Sequence, residues 1–306
     1  MFYSGSHGTM LHDTANANSL GMVRIWVFGL AAVSRLLTPV WEVCLLPDVQ
    51  PVGVMRWLGT RNWAPLLTIE MAYTIQAITI GLLLLAAAGI GRYVVIAPLA
   101  CLALILSEGL IRVEGILPHA NIILIFCTFV LACFPAADGL TLFRRKTPNS
   151  TNPGIYRAAL VTLTLVFSIT YLLAAARRFS SSGIDIYFDD SILYATAWRD
   201  AERGDAGGLG IWLCESWLGG WSLRLGFPVV TLLEFLTPLC LFSKWFRWTW
   251  IAVMVPFHIG AGVLMGIWFT YNLALIPVLI AGFDPFCHRS QQNVTPSQAQ
   301  THKRAA

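Results

Sequence analysis

Glu108-Gly109-Leu110-Ile111-Arg112-Val113-Glu114-Gly115-Ile116-Leu117-Pro118-His119 is a short polar island between two long apolar runs. It brings acids, an arginine and a histidine to the ends of segments that otherwise read as membrane. Charge placed there is costly and calls for a partner or a task. The runs on either side are continuous rather than alternating, so they read as helices and not as barrel strands. Working outward, the same pattern repeats along the chain. Of its 306 residues 57% are hydrophobic and only 12% charged, about half the charge of a soluble domain. The spacing predicts an all-α, polytopic helical membrane protein of about eight transmembrane helices, each of about 20 apolar residues.

The expected spans are 23–46, 65–88, 93–113, 118–135, 155–176, 226–243, 246–268 and 270–283. They form one transmembrane domain over residues 23–287, between a polar tail at 1–22 and another at 288–306. Residues 1–21 have no apolar core and no cleavage pattern, which reads as a tail rather than a signal peptide. Pro118 suits the first turn of the fourth span, where its missing N–H costs nothing. A long loop, 179–225, starts acidic and turns aromatic; Trp212, Trp217 and Trp221 suit a segment lying on the membrane. With eight spans, the termini and the even loops share a side that holds Arg24, Arg92, Arg144, Arg145, Lys146, Arg157, Lys244 and Arg247. The excess of basic residues there places both termini in the cytoplasm of a multi-pass protein of the cell (plasma) membrane. No basic patch with interleaved aromatics points to nucleic acid. The seven cysteines form no Cys-x-x-Cys pair, so no metal site or disulfide framework is expected.

That topology sorts the ionisable groups by depth. Glu42, Glu70, Glu108, Arg112, His119, Arg177 and Arg178 fall near outer ends of spans. Glu234 and His258 fall about 12 and 16 Å below the outer ends of spans six and seven, close enough to meet. The inner half holds almost nothing ionisable, as an outward-opening polar cavity requires. Each of these residues also has a structural reading. Glu108 and Arg112, at i and i+4, suit mutual neutralisation. Arg177 and Arg178 suit snorkelling. Glu234 and His258 suit an interhelical bond, and Glu42, Glu70 and Arg35 a packing network.

The order of these features resembles the horizontally transferred transmembrane (HTTM) proteins, relatives of the membrane domain of vitamin K-dependent γ-carboxylase. The likeness runs over about 23–287. It rests on Val23-Arg24-Ile25 with Phe28-Gly29-Leu30, Pro118-His119-Ala120, Asp138-Gly139-Leu140 before Arg144-Arg145, and Tyr171 through Arg178. It also rests on Glu234, and on Phe257-His258 followed by Met265-Gly266-Ile267 and Phe269. The resemblance implies a membrane enzyme acting at the outer leaflet on a lipid-soluble or membrane-presented substrate, a lipid or small peptide, with reduced quinone as the cofactor. His119 would be the acid–base group, Arg178 an anion stabiliser, and Glu234 with His258 a positioning pair. Glu108, Arg112 and Arg177 would contact substrate. In the family a lysine stands as base where this chain has Arg177-Arg178, and arginine does not lose its proton. The family's carboxylase also carries a large extramembrane region after the last helix, and this sequence has about twenty residues there. Glutamyl carboxylation itself is therefore not expected. The competing expectation is a non-catalytic lipid- or partner-binding membrane protein.

Overall fold

The computed structural model describes residues 17–45, 68–90, 93–111, 119–142, 153–204 and 208–281. All regular structure among them is helical. Among the described residues five helices are long and apolar enough to cross a membrane. They are α1 (Ala17–Leu37), α2 (Ile69–Ala88), α3 (Tyr93–Ile111), α5 (Pro153–Ser182) and α9 (Lys244–Met265). α4 (His119–Cys133) is apolar but shorter, and so are α10 (Thr270–Ala274) and α11 (Ile276–Ala281). This architecture is compatible with a multi-pass protein whose solvent is the bilayer. Its outer surface carries exposed Leu84, Val94, Leu102, Phe129 and Leu173, side chains that water would not favour.

Local chemistry sets the helix ends. Thr68 caps α2 by accepting from the N–H of Met71, and Ser243 caps α9 by accepting from Phe246. Gly89 ends α2 in the left-handed conformation (φ 67°), and Gly266 ends α9 likewise (φ 68°). α1 packs on α2, α2 on α3, α3 on α4 and α4 on α5, each running against the last. The core between them holds Phe28, Leu83, Leu104, Ile123, Leu131, Leu163 and Phe167.

Three expectations are corrected. The expected loop 179–225 is mostly helical: α5 runs on to Ser182, and a 3-10 turn (Asp185–Tyr187), α6 (Ser191–Glu202) and α7 (Leu209–Glu215) follow. The expected span 226–243 is α8 (Trp217–Phe235) followed by a 3-10 turn (Thr237–Leu241). α8 begins nine residues early because Ser216 caps it through the N–H of Gly219. Its early glycines and Arg224 hid the first half of this helix from a reading based on apolar runs. The expected span 270–283 is two short helices separated at Leu275, where Pro277 enters. The tails at 1–16 and 282–306 lie outside the described residues.

α6 and α7 are joined through Asp200, which is fully buried. Its carboxylate accepts from the backbone N–H of Gly208 (2.6 Å) and Ile211 (3.0 Å). Chiefly the Ile211 N–H, with that of Gly208, holds this carboxyl below its usual range. Arg203 then ties the joint to α9 by donating to the Val263 carbonyl at 2.6 Å. The surface of this helical cap exposes Tyr194, Trp198, Trp212 and Trp217, so the aromatic face expected at Trp212 and Trp217 extends onto α6.

Candidate functional site

Two polar layers cross the bundle. At one end Arg24 of α1, with no exposed surface, donates to four carbonyls: Ala87 (3.1 Å), Ala136 (2.8 Å), Gly139 (3.1 Å) and Leu140 (2.7 Å). Beside it, Tyr156 donates to Asp138 at 2.8 Å. This layer binds the C-terminal end of α2 and the segment after α4 to α1, which is an anchor's work.

The second layer lies toward the opposite end and is richer in chemistry. Arg35 of α1 pairs with Glu108 of α3, and both are buried. Glu108 was expected beside Arg112 or facing substrate; among the described residues it pairs with an arginine 73 residues away, because α1 and α3 run in parallel past α2. Arg112 lies outside the described residues, as does the side chain of His119, whose backbone opens α4. Glu42 and Glu70 are exposed, so the expected packing network with Arg35 does not form there. Ser34 bonds the Tyr271 hydroxyl at 2.6 Å. The next residue, Asn272, faces another way and donates to the Tyr171 hydroxyl of α5 at 3.1 Å.

Tyr171 is the hub. Its hydroxyl also lies 2.8 Å from Nε2 of His258 on α9. The Asn272 amide donates to the tyrosine oxygen, and we assign the tyrosine's own proton to its contact with His258. Nε2 then accepts, and the imidazole proton sits on Nδ1. Nδ1 of His258 and Oδ1 of Asn272 are buried and have no partner among the described residues. One is a donor and the other an acceptor, and both belong to side chains at least 95% buried. Such groups are costly to leave unmet. Phe269 and Phe257 flank the imidazole with ring centroids 4.8 and 5.3 Å away, and Trp250 meets Tyr171 edge-on at 5.0 Å.

Arg178 follows Tyr171 by seven residues, two turns up the same face of α5. Its guanidinium forks onto both carboxylate oxygens of Glu234 on α8. It also faces the Phe227 ring from 5.9 Å and acts electrostatically on both Tyr171 and His258. Glu234 and His258 were expected to meet each other. Instead each takes a partner from α5, because α5 lies between α8 and the apolar core. Arg177 points away from this cluster and is exposed.

On the other flank of α5 and α8 lies a cleft of about 870 Å³. Ala176, Phe179 and Ser180 line it from α5, and Pro228, Leu232 and Phe235 from α8. Ile184, Tyr187 and Phe188 close it from the connecting turn. On α8 the cleft stripe (Pro228, Leu232, Phe235) and the stripe facing Arg178 (Phe227, Thr231, Glu234) are adjacent runs with helical spacing. The Arg178–Glu234 pair therefore lies on the faces of α5 and α8 next to those that line the cleft, with Tyr171 two turns from Arg178 on the same face of α5. Tyr187 stacks on Phe227 (5.3 Å) and Phe179 (5.2 Å), and its hydroxyl is buried with no partner among the described residues.

No family model, curated protein or solved structure matches this chain.

Asn272 and Tyr187 were not singled out from the sequence. Asn272 had a signal: it is the one amide in the apolar run 269–283. Tyr187 had none, because its place depends on how far α5 extends. The described residues hold no group of three or more His, Cys, Asp or Glu able to bind a metal ion.

Proposed function

We propose that this is a multi-pass membrane enzyme that takes a lipid-soluble or membrane-presented molecule into the α5–α8 cleft and works on it with the polar cluster beside it. One observation carries the reading: a buried Tyr171–His258–Asn272 cluster, with an unmet donor and acceptor, stands beside an apolar cleft. The His258–Tyr171 pair supplies hydrogen-bonding and acid–base groups for a polar group of the bound molecule. Arg178 is held as a fixed positive charge by Glu234, in the place of the family's lysine base, which supports a reaction other than glutamyl carboxylation. The carboxylase-like scaffold and reduced quinone as cofactor rest on the sequence resemblance. His119, at the same end of α4 as this layer, remains a proposed acid–base partner. The basic residues of the even loops support cytoplasmic termini and a cleft opening to the outer leaflet of the plasma membrane.

The experiment compares lipids extracted from membranes that hold the wild type, His258→Ala or Tyr171→Phe at matched folded amounts. A lipid-derived product made by the wild type and reduced about 100-fold or more in both variants is expected, as for loss of acid–base help. Identical lipid profiles in all three would overturn the enzyme reading. A second reading, lipid binding without chemistry, is favoured by the mutual neutralisation of Arg178 and Glu234. It predicts that identical result.

A further inference from the structure

The cleft's lining is almost wholly carbon, but exposed residues next to the lining ones carry charges of both signs. Among the described residues the Arg177 guanidinium makes no ion pair, and Arg177 is exposed. It adjoins Ala176 in sequence and lies one turn from Ser180, on the flank of the stripe that lines the cleft. Farther along the chain, past the end of α5, come Asp185 and Asp189, both exposed. They bracket Tyr187 and Phe188, which form the cleft's far wall. The Ser191 hydroxyl and backbone N–H hold the Asp189 carboxyl below its usual range, so it stays anionic. Asp190 is already matched, by Arg224 at 2.8 Å. The surface around the cleft therefore carries a cation at Arg177 on α5 and anions at Asp185 and Asp189 on the turn that closes it.

We infer that the cleft holds a zwitterionic phospholipid, one acyl chain against Phe179, Leu232 and Phe235, the phosphate on Arg177 and the ammonium toward Asp185 and Asp189. This rests on the reading of the cleft as a lipid site and names the lipid's class. The charges match the molecule: such a headgroup carries one anion and one cation, and the apolar lining takes the chain. An acidic lipid without an ammonium would meet two carboxylates for one arginine. The cleft volume suits part of a lipid, because sites for small molecules span about 300–1,000 Å³. Leu232 and Phe188 are exposed at 57% and 82%, so the chain enters sideways from the bilayer.

The test uses the full chain in nanodiscs of equal parts phosphatidylethanolamine and phosphatidylglycerol. The protein is transferred to mild detergent and the retained lipid is quantified by mass spectrometry. The wild type is expected to retain phosphatidylethanolamine about three-fold over its share, the scale of exposed ion pairs. Asp185→Asn with Asp189→Asn should remove that preference, and Arg177→Gln should lower total retained phospholipid. Leu232→Trp, which fills the cleft, should abolish retention. Retention matching the bulk mixture, a preference for phosphatidylglycerol, or an enrichment unmoved by these substitutions would overturn the proposal. None of these positions touches His258, so the enzyme reading can fail while lipid retention stands.

Discussion

Replacing Glu108 with Ala is expected to cost about 3–5 kcal/mol of stability, the largest effect of any single substitution outside the apolar core. Its partner Arg35 lies in the same buried layer, with side-chain exposures of 1% for Arg35 and 3% for Glu108. Removing the acid takes from a buried guanidinium the carboxylate it meets across the helices. Interhelical hydrogen bonds within membranes average only about 0.6 kcal/mol, so a mild loss would mean that Arg35 finds other acceptors. The measurement is thermal unfolding in detergent of Glu108→Ala, Arg35→Leu, and Arg35→Leu with Glu108→Leu together. The double substitution should recover much of the single loss, because a desolvated pair is replaced by packing. A double variant as unstable as the sum of the two singles would contradict this account.

The second large effect is expected at the other layer. Arg24→Ala removes the donor for four carbonyls and opens a cavity among α1, α2 and the segment after α4. Each buried acceptor left unmet costs about 1–3 kcal/mol. Relaxation of the 136–140 segment recovers part of that, so a net loss of about 4 kcal/mol is expected. Arg24→Lys should fall between, since an ammonium lacks the planar fork that reaches several acceptors at once. Gly89 should be equally intolerant: a Cβ there would stand 2.8 Å from Nη1 of Arg24, on a backbone already in the left-handed region. Thermal unfolding of Arg24→Ala indistinguishable from wild type would show that the layer is not an anchor.

The sequence reveals much of the architecture for a plain reason. Apolar runs such as residues 93–106 carry their own message, since a helix apolar all round suits a bilayer or a protein core and not water. The positions of α2 through α4 follow closely from those runs, whereas α1 begins at Ala17, before its expected span 23–46, and α5 runs on to Ser182, past its expected end at 176. The first half of α8 does not, because its early glycines and Arg224 lower its apolarity. What identifies it as a helix is the Ser216 cap and its packing on α5, and neither is a property of composition. The site was legible as a list of residues but not as a set of pairs. Depth along a span placed Glu234 and His258 near one level. It carried no information on rotation about the helix axis, and rotation decides that Glu234 meets Arg178 and His258 meets Tyr171. The Arg35–Glu108 pair was missed because a neighbour at i+4 was the more visible partner for Glu108. Tyr271 and Asn272 show the same limit. They are consecutive, yet one reaches α1 and the other α5, and through them α10 links the two halves of the polar layer.

The most direct measurement is an electron cryo-microscopy map of the protein in lipid nanodiscs. The account predicts continuous, chain-like density in the α5–α8 cleft against Phe179, Leu232 and Phe235, with Tyr171 and His258 in contact and Arg178 paired with Glu234. A cleft closed by its own side chains, or lipid density elsewhere on the surface and none there, would contradict the claim that this cleft receives the protein's lipid.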